Sequence, residues 1–167
     1  MALVSTSQVV TDQSAVPAVK TNAQEKGAPT RNAFGYLAAA SFVGATAGQW
    51  YTFVRVPVRA QIIDIKVTGA TTTSGAVKCG LYRPDGIAID DAVFATNYDM
   101  AAEKDGASLL VTPTALQRTQ TIAAAYATAI GTAGATGDAE VDIALAIVTA
   151  LGGGVNHALH VQYTLPE

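Results

Sequence analysis

Hydrophobic and polar positions change their rhythm along this chain, and the changes mark its parts. Residues 1–32, MALVSTSQVVTDQSAVPAVKTNAQEKGAPTRN, hold no sustained period of 3.6 or 2. Pro17 and Pro29 interrupt any long element. Alone, such a segment buries too little apolar surface to offset its ordering entropy. It is expected to be an arm that a neighbouring molecule pins down. Residues 33–50, AFGYLAAASFVGATAGQW, place Phe34, Tyr36, Phe42 and Trp50 between small residues. They are expected to be extended. The chain thus divides into an arm and transition segment over 1–50 and a domain over 51–167.

From Tyr51 the strand signal is dense. In YTFVRVPVRA, Val54, Val56 and Val58 share one face, with Phe53 and Arg55 on the other. Pro57 lacks a backbone donor, which predicts an edge strand or a break there. In QIIDIKVTG, alternation puts Ile63, Ile65 and Val67 on one face against Ile62, Asp64 and Lys66. TGATTTSG reads as a loop. AVKCGLY predicts a strand with Val77, Cys79 and Leu81 on one side. RPDG at 83–86 suits a type I turn, with Pro84 second, Asp85 third and Gly86 fourth. That predicts a hairpin of 76–82 with 87–94.

Further on, NYDMAAEKDG predicts one helical turn capped by Asn97 or Asp99, and SLLVTP a short strand ended by Pro113. TALQRTQTIAAAYATAI mixes signals. Leu116, Ala123 and Ile130 lie seven apart, which favours a helix capped near Thr112 or Thr114 and stopped at Gly131. Thr119, Thr121 and Ile122 also suit a strand. EVDIALAIVTA sets Val141, Ile143, Leu145 and Ile147 on one face. After the GGG turn, Val155, His157, Leu159, Val161 and Tyr163 share a face on the returning strand. About eight strands and at most one short helix predict a mainly β fold. The expected form is an antiparallel β-sandwich of jelly-roll type with an extended N-terminal arm.

Composition narrows the function classes. The charged fraction is 14%, against about 25% in ordinary domains. A freely soluble monomer usually keeps more surface charge, so much of this surface is expected to face other protein. The net charge is −3 and no long basic run exists, so direct nucleic-acid binding has no electrostatic footprint. MALVSTSQVV lacks the basic and long apolar regions of a secretory signal, and no apolar run approaches the roughly 20 residues of a membrane span. Synthesis in a cytoplasm, with no membrane partner, is the expectation.

Candidate chemistry is thin. Asp85, Asp90 and Asp91 fall within seven positions but do not match a calcium-binding loop. Asp90 and Asp91 are adjacent on a predicted strand, so the pleat sends them to opposite faces unless a bulge intervenes. His157 and His160, three apart on a strand, also face opposite ways, and no further ligand cluster lies nearby. Cys79 is the single cysteine and reads as a small core residue. No nucleophile elbow, phosphate-binding loop or dinucleotide fingerprint occurs. Few aromatics make a poor sugar platform for a paired-carboxylate glycosidase. No catalytic residue, metal or cofactor is expected, and the chain is not expected to be an enzyme.

Three runs carry a resemblance: RVPVRAQIIDIKVTG, KCGLYRPDGIAIDDAVFATNYDMAA, and VDIALAIVTALGGGVNHALHVQYTLPE. Together they resemble small virion structural proteins of tailed bacteriophages, the capsid decoration or cement proteins, over roughly 50–165. Where that family often has an aromatic-rich helix before its last hairpin, this chain has TIAAAYATAI. The resemblance implies a protein on the capsid surface of a virion, bridging and stabilising major capsid protein subunits as a homotrimer. A head fibre, tail or baseplate subunit, or a glycan-binding attachment module, is the alternative. For the interface with capsid or subunits, Phe34, Tyr36 and Trp50 are the candidate apolar anchors. Lys20, Lys26 and Arg31 are candidate arm charges that meet an acidic neighbour.

Overall fold

The computed structural model describes residues 29–39, 46–69, 75–101, 104–110, 120–126, 140–152 and 156–165. Among the described residues eight strands form in chain order: β1 Arg31–Leu37, β2 Trp50–Pro57, β3 Gln61–Gly69, β4 Ala76–Tyr82, β5 Ala88–Asp99, β6 Lys104–Ser108, β7 Glu140–Thr149 and β8 His157–Thr164. They make two four-stranded antiparallel sheets. One has the order β1-β8-β3-β6, the other β2-β7-β4-β5. Four of the pairs, β1·β8, β2·β7, β3·β6 and β4·β5, have strand numbers that sum to nine. An antiparallel ribbon folded at the β4–β5 turn and wrapped over itself gives this order, which is that of a jelly roll.

The turn at the middle of that ribbon is the one its sequence predicts. Gly86 donates its N–H to the Arg83 carbonyl at 2.9 Å, and Arg83 donates to Ile87 at 2.8 Å. Gly86 takes φ +89°, a left-handed value that a side chain disfavours. Asp85 Oδ1 accepts from the Ile87 N–H at 3.2 Å, so the aspartate fixes the turn's backbone.

The core lies between the sheets. Val54, Val56 and Val58 enter from β2 and the segment after it; Val77, Cys79 and Leu81 from β4; Val141, Ile143, Leu145 and Ile147 from β7; His157, Leu159 and Val161 from β8. Each fully buried Val, Ile or Leu contributes about 1.5–3 kcal/mol relative to exposure. β2 is an edge strand that ends at Pro57, as the missing donor requires. On the central strand β7 even the outward residues Asp142, Ala144 and Ala146 are buried. β1 and β2 are both edges, and they meet where the Phe53 carbonyl abuts Gly35 so closely that a Cβ there would collide.

Several expectations need correction, each for a physical reason. In β3 the register against β8 shifts between Ile62 and Asp64. The shift turns Ile62 into the core beside Ile65 and Val67 and leaves Ile63 half-buried. The helical turn expected at NYDMAAEKDG does not form. β5 continues to Asp99, whose Oδ1 accepts from the Ala101 N–H at 2.8 Å, and the chain returns as β6. That carboxylate satisfies a turn rather than a helix start. The strand expected at SLLVTP lies earlier, at Lys104–Ser108. Of the long helix expected over 114–130, the described residues 120–126 hold a single turn, α1, Ile122–Ala125. Thr121 caps it by accepting from the Ala124 N–H at 3.2 Å, and Tyr126 leaves helical geometry at φ −125°. Ile122 and Ala123 donate their backbone N–H groups to Ala60 and Val58, so this turn serves the β2–β3 connection. Thr112, Thr114 and Gly131 lie outside the described residues.

A large bulge shapes the edge strand β5. Cys79 pairs with Ala95 and Leu81 with Asp90, so β5 takes five steps where β4 takes two. Val93, Phe94 and Ala95 are all buried as a result. The extra length folds across Gly80, where a Cβ would collide with the Asp90 carbonyl and the Asp91 backbone. Glycine here is a requirement of close approach. Gly80→Ala is therefore expected to destabilise the fold by about 2 kcal/mol or more. The nearby Lys78→Ala, which removes only a half-exposed ion pair, is expected to cost less than about 1 kcal/mol. Urea unfolding of both variants checks the contrast; equal, small losses would show that the bulge does not need Gly80.

Candidate assembly interface

The six residues singled out in the sequence separate in space. Lys20 and Lys26 lie outside the described residues. Arg31 opens β1, exposed and opposite Tyr163 on β8. Phe34 and Tyr36 follow two and four residues after Asn32, so all three point outward from the first sheet. Phe34 is 73% exposed and Tyr36 64%. Phe34 stacks on its cross-strand partner His160, with centroids 4.3 Å apart and planes 13° from parallel. His160 Nε2 is held 2.9 Å from Asn32 Oδ1. This stack is anchored by pairing and fixes the Phe34 ring in an exposed position.

The remainder of this outer face is polar. Asp64 Oδ1 accepts from Ser108 Oγ at 2.7 Å and Asp64 Oδ2 lies 3.8 Å from Lys66 Nζ. The aromatic surface is thus confined to the β1–β8 half, next to the sheet's edge.

Trp50 belongs to the other sheet. It stacks on Tyr82 with centroids 4.9 Å apart at 17°, and its ring lies over Gly86, 3.1 Å from where a Cβ would stand. Trp50 is 41% exposed, and Ile87 beside that turn is 57% exposed. The tryptophan therefore clamps the central turn onto its sheet while showing part of its ring to solvent. Beside it a recess of about 290 Å³ opens between the Ala47–Gly48 turn, Ala146–Val148 of β7, Lys78, Tyr82 and Asp91. Burial, with Asp91 adding to it, pushes the Tyr82 hydroxyl up to about 12, so it stays protonated and neutral in ordinary buffers.

The aspartates of 85–91 go to structural uses. Asp91 pairs with Lys78 at 3.0 Å, and Asp90 Oδ1 accepts from the Ala92 N–H at 3.1 Å inside the bulge. The bulge intervenes between them and still gathers no site. Among the described residues no three His, Cys, Asp or Glu side chains lie where they could hold a metal ion. Cys79 is fully buried and burial raises its thiol far above the range of a reactive thiolate.

Two features escaped the sequence. His160 reads as a strand histidine, and only pairing reveals it under Phe34. Arg55 and Asp142, 87 residues apart, are direct cross-strand partners joined at 2.6 and 3.1 Å on the second sheet's outer side. No local signal connects them.

His157 is buried against Gly69, and desolvation lowers its pKa below the usual 6.5. The folded protein holds the neutral ring while the unfolded chain takes a proton near pH 6.5. Stability is then full above that pH and is lost as the pH falls from it toward the folded value. His157→Leu is expected to flatten this part of the pH–stability profile, read as the urea midpoint at successive pH values. A slope below pH 6.5 equal to that of the wild type would show that His157 is not its source.

No family model matches the chain, and no curated protein matches it. Among solved structures, a chain described as "Cyanophage Pam1 capsid asymmetric unit" overlaps this one at 12% identity with a TM-score of 0.42, over 83% of this chain and 86% of that chain.

Proposed function

We propose that this chain is a virion structural protein that decorates and stabilises a bacteriophage capsid by bridging major capsid protein subunits. The observation that carries this reading is the pair of large aromatics, Phe34 and Tyr36, held outward on a strand at the sandwich's edge. Exposed aromatics flanked by polar residues are the composition of an interface centre, where aromatics are enriched and lysine is depleted. The low charge of the whole chain agrees with a surface that meets protein on several sides. So do the three sequence runs that resemble decoration proteins. The described residues, in contrast, use their aspartates in turns, pairs and a bulge, and bury their one thiol.

In this role Phe34 and Tyr36 dock on the shell, and Arg31, with Lys20 and Lys26, meets acidic groups of the capsid. Trp50 is the second contact, on the opposite sheet. A homotrimer at local three-fold axes multiplies such modest contacts through multivalency.

Purified protein is expected to co-sediment with empty capsids of its phage and to raise their melting temperature. Phe34→Ser with Tyr36→Ser is expected to weaken binding about tenfold or more while leaving the protein's own unfolding midpoint nearly unchanged, because both side chains are exposed. Capsids that neither bind the protein nor gain stability from it would refute the role.

A further inference from the structure

Among the described residues the two sheets leave four edges, β1, β6, β2 and β5. An open edge presents unpaired N–H and C=O groups, and proteins blunt it with charges, proline, bulges or short strands. Three of these edges are blunted in that way. β2 carries Arg55, ends in Pro57 and is bulged between Thr52 and Val54. β5 carries Asp90, Asp91 and Asp99 and shifts register three times. β6 has five residues, two of them Lys104 and Asp105, and Gly106 at φ +64°.

β1 has no proline and no bulge, and its charge stands at one end. It pairs with β8 over seven residues without a register shift, and its single charge is Arg31 at the first position. Among the described residues no strand pairs with its other side. Alternate residues therefore turn their backbone groups outward, as in any antiparallel edge.

The sequence RNAFGYL also fits itself. Antiparallel pairing about Phe34 sets Phe34 opposite Phe34 of the second copy, Asn32 opposite Tyr36, Ala33 opposite Gly35 and Arg31 opposite Leu37. No like charges meet, and the central pair is aromatic on aromatic, a favourable cross-strand combination. We propose that β1 pairs with β1 of a second copy across a two-fold axis, joining two four-stranded sheets into one of eight strands. Such an isologous contact links two copies whatever further symmetry the assembly has. It also sets two Phe34–Tyr36 surfaces side by side on one face. Self-pairing goes beyond the shell binding proposed above and needs no shell. A chain that self-pairs but ignores capsids keeps this proposal and loses the other.

The test is analytical ultracentrifugation of the full-length protein over a range of concentrations, without capsids. The wild type is expected to show reversible association into paired species. Asn32→Lys with Tyr36→Lys opposes like charges across the axis and is expected to weaken association about tenfold or more. Asn32→Glu with Tyr36→Lys opposes unlike charges and is expected to retain it. Circular dichroism and the unfolding midpoint establish that each variant is folded. Independently of any variant, an excess of the peptide TRNAFGYLA, residues 30–38, is expected to dissociate the wild-type pairs by capping the edge. A wild type with no paired species, two variants that behave alike, or pairs that ignore the peptide would overturn the proposal.

Discussion

Antiparallel pairing of strands whose numbers sum to nine is the constraint on which the rest of this structure depends. Once β4 and β5 are joined by the Arg83–Ile87 turn, each later strand lies beside the earlier one that the folded ribbon assigns to it. The wrap buries one face of each sheet and leaves four edges. Most of the unusual local features answer one of two needs: to bend the ribbon or to finish an edge. The β5 bulge over Gly80 and the shift at Ile62 change the strands' course, and Gly35 lets the Phe53 carbonyl of β2 come close to β1. Pro57, Arg55 and the β5 aspartates close edges to further pairing.

Turn chemistry and binary pattern were legible because they are local. Asp85 and Gly86 announced their turn, and the valines of 54–58 and the apolar residues of 141–147 announced their faces. What failed depended on the partner strand. Simple alternation put Ile63 in the core, but pairing with β8 put Ile62 there. Asp99 looked like a helix cap because the same side-chain hydrogen bond serves a helix start and a turn. Around Tyr126 the heptad spacing suggested a long helix, but α1 is one turn whose backbone N–H groups are spent on Ala60 and Val58.

The candidate interface was legible in kind and not in arrangement. Phe34, Tyr36 and Trp50 stood out as large aromatics among small residues, and all three keep substantial exposure. Their division between two sheets follows from wrapping, which no spacing in the sequence reveals. Trp50 finds Tyr82 because β2 and β4 flank β7, and Phe34 finds His160 because the first strand pairs with the last. The arrangement that emerges suits assembly. Aromatics on an edge strand cost little side-chain entropy on docking, and an edge that no described strand covers offers directional hydrogen bonds beside them.

The central claim is that β1 is an edge left open for another molecule. Amide hydrogen exchange of residues 31–37 tests it most directly, measured in dilute protein and again in the assembled state. The account expects the outward-turned amides of β1 to exchange quickly when dilute and to become strongly protected on assembly, while β8 is protected in both. A β1 whose amides are all as protected as those of β8 in dilute solution, or as quick to exchange after assembly as before, would contradict it.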